Sequence, residues 1–230
     1  MRLLAVMAWA ACPQAQEEPL KERIEQILPR LVCPDEGARL AAQMELRKLG
    51  EAAVVHFPAD ADSELDAALD QVRRLIAQDQ EIDRLEMCLR VALDQSCRVW
   101  KRLVEVGEID AEQGDLFERG QHLLFKIELI KADLQWVRDG VLDMRERLLR
   151  KLRTPGDVRW VGFQPRSWSD AAAVISDVLD APVRLSPELS SSAATVAMED
   201  PAATLEELLD GLTRRAGVRC SVAPDGLMIR

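Results

Sequence analysis

The chain has 230 residues, 48% of them apolar and 30% charged, with a formal net charge of −10. That length allows one large or two modest domains, each with its own core, and the balance of apolar to charged residues excludes a disordered chain. The acidic balance disfavours binding to a phosphate backbone, which needs clustered cations, so nucleic acid is not an expected partner.

Met1-Arg2 followed by the apolar run Leu3 to Ala11 has the polarity of an export signal, and residues 1–15 are read as one. The run is too short to span a bilayer, and no later stretch approaches the roughly 20 apolar residues that a span needs. Two cleavage readings stand side by side. A cut near Ala15 releases a soluble periplasmic protein, whereas Ala10-Ala11-Cys12 read as a lipoprotein box gives an outer-membrane protein acylated at Cys12. An uncleaved terminus or a misplaced start is the third possibility.

Residues 20–78 read as a helical region. Ile24, Ile27, Leu28 and Leu31 suggest a first helix, and Leu40, Met44, Leu46 and Leu49 a second, stopped by Gly50. The run Arg39-Leu-Ala-Ala to Leu49-Gly50-Glu-Ala-Ala53-Val-Val resembles a single HEAT-type repeat. A solenoid needs about three such units, so this layer is expected to bury its apolar face on other helices. Asp60, Asp62, Glu64 and Asp66 alternate as in a calcium loop. Leu65 and Gln71 stand where such a loop needs Gly and Glu, so the stretch reads as an acidic helix start. Leu65, Leu69, Val72 and Ile76 then define a helix from Ser63 to about Gln78. Its rhythm slips by one residue at Asp79-Gln-Glu81, and a break or kink is expected there.

Residues 79–153 carry heptads. Leu85, Leu89, Ala92, Ser96, Val99, Leu103 and Val106 form one arm. Gly107 to Asp110 turns the chain, and Leu116, Gly120, Leu123, Ile127, Ile130, Leu134, Val137, Val141, Met144 and Leu148 form the other. The spacing predicts an antiparallel coiled-coil hairpin with a second arm running unbroken through Leu148. The turn Leu103 to Gln113 and the long helix after it resemble the hairpins of efflux adaptors and outer-membrane efflux proteins. Trp100 and Trp136 fall outside the seam and are expected either to pack on the N-terminal helices or to face a partner. Arg145, Arg147, Arg150, Lys151 and Arg153 crowd the end of the second arm and read as a solvated helix terminus, with contact to anionic lipid or an acidic partner as the alternative.

Thr154-Pro-Gly156-Asp157 is a linker, and residues 158–230 form the last module. Val158 to Phe163 suits a half-buried strand. Ser167 with Asp170, and Thr204 with Glu207, are helix starts; Asp180-Ala-Pro182 and Gly217 are helix stops. Val183 and Leu185, then Ala194, Val196 and Met198, alternate as short strands. Val218, Cys220 and Val222 lead through Pro224-Asp-Gly226 to a return strand with Leu227 and Ile229. Trp160, Trp168 and Cys220 read as core.

This order, carried by Val174 to Leu189, Ala194 to Asp200, Thr204 to Leu212, Gly217 to Val222 and Gly226 to Ile229, resembles the secretin and TonB short N-terminal domain. The family places that module in the periplasm ahead of a secretin ring or a TonB-dependent barrel, where it docks other envelope proteins. No channel or barrel sequence follows it here, so the resemblance implies docking without transport, and it brings no catalytic residues with it.

The cysteines Cys33, Cys88, Cys97 and Cys220 read as semi-buried thiols. Cys88 and Cys97 on one helix are about 13 Å apart and cannot bridge each other. Neither the cysteines nor the two histidines, His56 and His122, have metal-ligand spacing. The expected fold is mainly α with a C-terminal α+β module: N-terminal helices, a coiled-coil hairpin, then a β-α-β-β-α-β-β domain. The expected function is a non-enzymatic exported scaffold with no catalytic, cofactor or metal residues, partnered by secretin-like, TonB-dependent or efflux components, and a candidate homo-oligomer. A signal-receiving regulatory module and a hydrolase or metal protein with a dispersed site are the alternatives.

Overall fold

A computed structural model describes residues 14–106, 111–156, 166–192, 195–196 and 204–230. The chain is mostly helical with a small mixed β-sheet module near its C-terminus, and it divides into two compact units, residues 1–80 and 81–230. Among the described residues no helix is long and apolar enough to cross a membrane. Residues 1–13 of the expected export signal, the turn at 107–110 and the strand expected at 158–163 lie outside the described residues.

The first unit contains α1 (Gln14–Leu31), α2 (Glu36–Leu49), the short α3 (Glu51–Val54) and the start of α4 (Ser63–Val106). Asp35 caps α2 through the Gly37 N–H, and Gly50 ends it at φ +65°, a left-handed geometry that costs glycine little. Ile24, Ile27, Leu31, Leu46, Leu69 and Val72 form the core, the burial that helices this short need in order to persist. Arg30 bonds Glu45 at 2.8 Å, and Arg47 forms a two-pronged pair with Asp79 at 2.5 Å that raises the arginine and lowers the carboxyl from their ordinary pKa values. The acidic loop does serve as a helix start: Asp62 accepts from the Leu65 N–H at 2.8 Å.

The expected break at Asp79-Gln-Glu81 is absent, because α4 runs as one helix from Ser63 to Val106. Gln80 and Glu81 are good helix formers, and the charged side chains there find partners: Asp79 takes Arg47, and Glu81 takes Arg84.

In the second unit α5 (Ala111–Arg138) packs back along α4, antiparallel to it. Leu85, Ala92, Ile127, Ile130, Leu134 and Val137 share one core, and Arg138 bonds Glu86 at 3.1 Å. The second arm does not continue to Leu148. It stops at Arg138, turns through Gly140 at φ +87°, and restarts as α6 (Met144–Arg153) with Asp143 as N-cap. Trp100 packs on α5, edge-on to Phe117 at 6.0 Å between ring centroids and tight against Gly120. The ring of Trp136 lies 5.6 Å beneath the Arg150 guanidinium.

The terminal module runs β1 (Arg166–Ser167), α7 (Trp168–Leu179), β2 (Val183–Leu185), the one-turn α8 (Pro187–Ser190), β3 (Thr195–Val196), α9 (Leu205–Ala216), β4 (Cys220–Ala223) and β5 (Gly226–Ile229). Ser167 and Thr204 cap α7 and α9 through the N–H groups of Asp170 and Glu207, and Asp180 and Gly217 close the two helices in left-handed geometry. The described strands form two sheets rather than one. β1 pairs antiparallel with β3, while β5 lies between β2, parallel to it, and β4, antiparallel to it. Trp168, Ile175, Leu179, Leu205, Leu208 and Ile229 are buried in a core that also takes Phe125, Leu129, Leu148 and Leu152 from α5 and α6. Hydrophobic burial thus joins the module to both helices.

Candidate functional site

The densest polar constellation lies where α4, α5, α6 and α7 meet. Asp133 of α5 is fully buried. Its Oδ1 accepts from Arg147 Nε at 2.6 Å, and its Oδ2 accepts from Arg147 Nη2 at 2.9 Å and from Lys151 Nζ at 2.6 Å. Lys151 also donates to the Leu179 carbonyl at 2.8 Å, satisfying one of the acceptors that a helix end leaves open. Arg147 reaches Glu81 at 2.6 Å. Glu81 is shared with Arg84, which in turn holds Asp180, the left-handed residue closing α7, at 2.6 Å.

The expected solvated basic helix end is therefore corrected. Arg147 and Lys151 are 2% exposed and turned inward, while Arg150 and Arg153 stay outside. They point inward because α6 is a separate helix after the Gly140 turn, with Leu148 and Leu152 in the core beside them. Three carboxylates face three cations, so the cluster is neutral as a whole and each charge has an opposite neighbour. A buried charge tolerates its loss of water only on those terms.

Burial pushes the Asp133 carboxyl up, but the bonds from Arg147 and the charge of Lys151 outweigh it and hold it below the usual carboxylate range. Glu81 is likewise lifted by burial and brought down further by Arg84 and Arg147. A carboxylic general acid working near neutral pH needs the opposite displacement. The geometry is that of a tie between helices.

A second cluster lies on the α5–α7 seam. His122 Nε2 is 2.8 Å from Asp177 Oδ2, and Lys126 Nζ donates to Asp177 Oδ1 at 2.6 Å. The hydrogen bond from His122, reinforced by Lys126, draws the Asp177 carboxyl down to about 2 against the opposing effect of burial. An open cleft of about 520 Å³ runs from Lys126 and Asp177 to Asp180 and Pro182. Another, of about 390 Å³, lies between α7, β3 and α9, lined by Trp168, Leu189, Thr195, Val196 and Leu212.

Of the residues singled out in sequence, Trp168 is buried in the core and Cys220 is partly buried, its thiol pushed up by burial. Trp160 lies outside the described residues. Cys33, Cys88, Cys97 and Cys220 are unbridged, and Cys97 is exposed rather than semi-buried. Among the described residues no group of three His, Cys, Asp or Glu side chains is placed to hold a metal ion. Asp133, Arg147 and Lys151 escape a sequence reading; their one signal is the Arg138-Asp-Gly140-Val-Leu-Asp143 stop-and-restart, which makes α6 a helix of its own.

No protein-family model, no curated protein and no solved structure matches the chain. Fold and site together define a mostly helical protein with a small C-terminal mixed-sheet module joined to its helices by a shared core and by the buried Lys151.

Proposed function

We propose that this chain is a non-enzymatic scaffold of the bacterial envelope. In this reading the leader exports it, residues 85–137 form an antiparallel coiled-coil hairpin, and residues 158–230 present a docking module of the secretin and TonB short N-terminal type. The observation that carries the reading is the order of the last module. A capped helix, a short strand, a second capped helix and a closing hairpin follow one another, with β5 returning between β2 and β4, and this order supports the reading.

The polar groups support docking over catalysis. The buried carboxylates are held ionised and cation-bound, so they stiffen the platform on which the module is carried. A partner recognised by such a module is an envelope protein of the secretin-like, TonB-dependent or efflux class. Acylation at Cys12 or cleavage near Ala15 decides whether the scaffold is anchored to the outer membrane or free in the periplasm.

The test is fractionation of cells making the full chain with a C-terminal tag, mass determination of its N-terminus, and in-cell crosslinking. A processed N-terminus, an envelope location and crosslinks to a channel or barrel protein that vanish on deletion of residues 158–230 are expected. An intact leader on a cytoplasmic protein would sink the proposal.

A further inference from the structure

α4 carries an apolar column that its own partner helix leaves uncovered. Ala92, Ser96 and Val99 are buried in the seam against α5. One column further round, Leu93, Cys97 and Val104 are exposed, Val104 by 83%, and Trp100 lies in line with them at helical spacing. Trp100 leads across to α5, where Phe117 meets it edge-on and Leu124, seven residues further along the same face, is also exposed. Isolated apolar residues on a surface are ordinary, but a contiguous stripe on two adjacent helices marks a contact site.

The charges beside that stripe say what covers it. Arg90, Asp94, Lys101 and Glu105 are exposed and follow one flank of the helix at i, i+4, i+11 and i+15. Their signs are antisymmetric about the point between Cys97 and Arg98. Arg90 lies seven residues before Cys97 and Glu105 seven after Arg98, while Asp94 lies three before and Lys101 three after. A second α4 laid antiparallel on the first sets each cation opposite an anion of its neighbour, and a two-fold axis makes every such pair occur twice. The same register brings the two Cys97 side chains together and sets Leu93 about 3 Å along the axis from level with Val104 of the other copy. Within one chain Asp94 pairs with Arg98, and Lys101 lies 3.9 Å from Glu105, so contacts with a second copy extend these pairs into a network. Arg90 has no ion-pair partner among the described residues. A charged flank that is its own complement when reversed fits a second copy of itself.

We propose that the face of α4 between Arg90 and Glu105 is the contact surface for a second copy of this chain, packed antiparallel about a two-fold axis beside Cys97. The paired stretch is about 22 Å long, and Phe117 and Leu124 widen it. The proposal is independent of the docking reading.

Sedimentation velocity on the full chain, from about 1 to about 100 µM, reads the association directly. A dimer is expected, and mild oxidation is expected to lock it through Cys97 and not in Cys97→Ser. Arg90→Glu sets like charges against Glu105 twice per dimer and weakens association about tenfold. The double exchange Arg90→Glu with Glu105→Arg restores it, and all these positions are exposed, so circular dichroism stays unchanged. A monomer at every concentration overturns the proposal. A dimer indifferent to Arg90→Glu, or one that the double exchange fails to restore, overturns it equally.

Discussion

Asp133 shows how much one buried side chain can carry. It satisfies Arg147 and Lys151 at once, and removing it strands both cations away from water. Asp133→Ala is expected to cost about 3–5 kcal/mol, read as a fall in the urea midpoint. Replacing all three residues by apolar side chains of similar volume is expected to cost less, because no buried charge of the trio is then stranded; Glu81 keeps Arg84, and the Leu179 carbonyl loses its donor. The pH dependence follows from the same logic. Asp177 falls from 3.8 to about 2 on folding, so its stabilisation is complete above the unfolded value and drains away as pH drops from about 4 through about 2. A gap of that size corresponds to about 2.4 kcal/mol, which half-exposure in water reduces to about 1 kcal/mol. Asp177→Asn should flatten that part of a stability-versus-pH curve. Neither cluster was legible in sequence. Five cations crowd α6 and its end, and only packing decides that Arg147 and Lys151 are the two that turn inward.

The short-range signals of single elements were far easier to read. Ser167 and Thr204 start their helices and Gly217 stops one, each for a reason confined to a few residues. Val137, Val141, Met144 and Leu148 keep heptad spacing across a turn, so the apolar period predicts an unbroken second arm and survives where the helix does not. Gly140 and Asp143 were the stronger signals there. Two glycine variants separate the two demands that a backbone can make. Gly217→Ala meets only the left-handed geometry at φ +67° and should cost about 1 kcal/mol. Gly226→Ala places its Cβ 2.2 Å from the Pro182 carbonyl oxygen, the same oxygen that accepts from the Leu227 N–H, so strand β2 has to move. A loss of about 3 kcal/mol or more is expected, seen as a drop of about 10 °C in the melting temperature.

At the scale of the molecule, sequence periodicity predicted a helical chain ending in a small α+β module, and that much holds. What it could not predict is how far the module depends on the helices before it, because long-range burial leaves no local pattern. Phe125, Leu129, Leu148 and Leu152 lie in the same core as Ile175 and Leu208. A chain stopped at Gly156 should therefore expose those four side chains, bind a hydrophobic dye and lose its cooperative unfolding transition. The order of the three-stranded sheet carries this dependence into biogenesis. Its middle strand is the last to be synthesised, flanked by segments made earlier that do not touch each other. During translation β2 and β4 wait without a common neighbour until residues 226–229 emerge, and a product cut just short of them lacks the keystone rather than an outer course. Only a chain translated past that point can close this sheet.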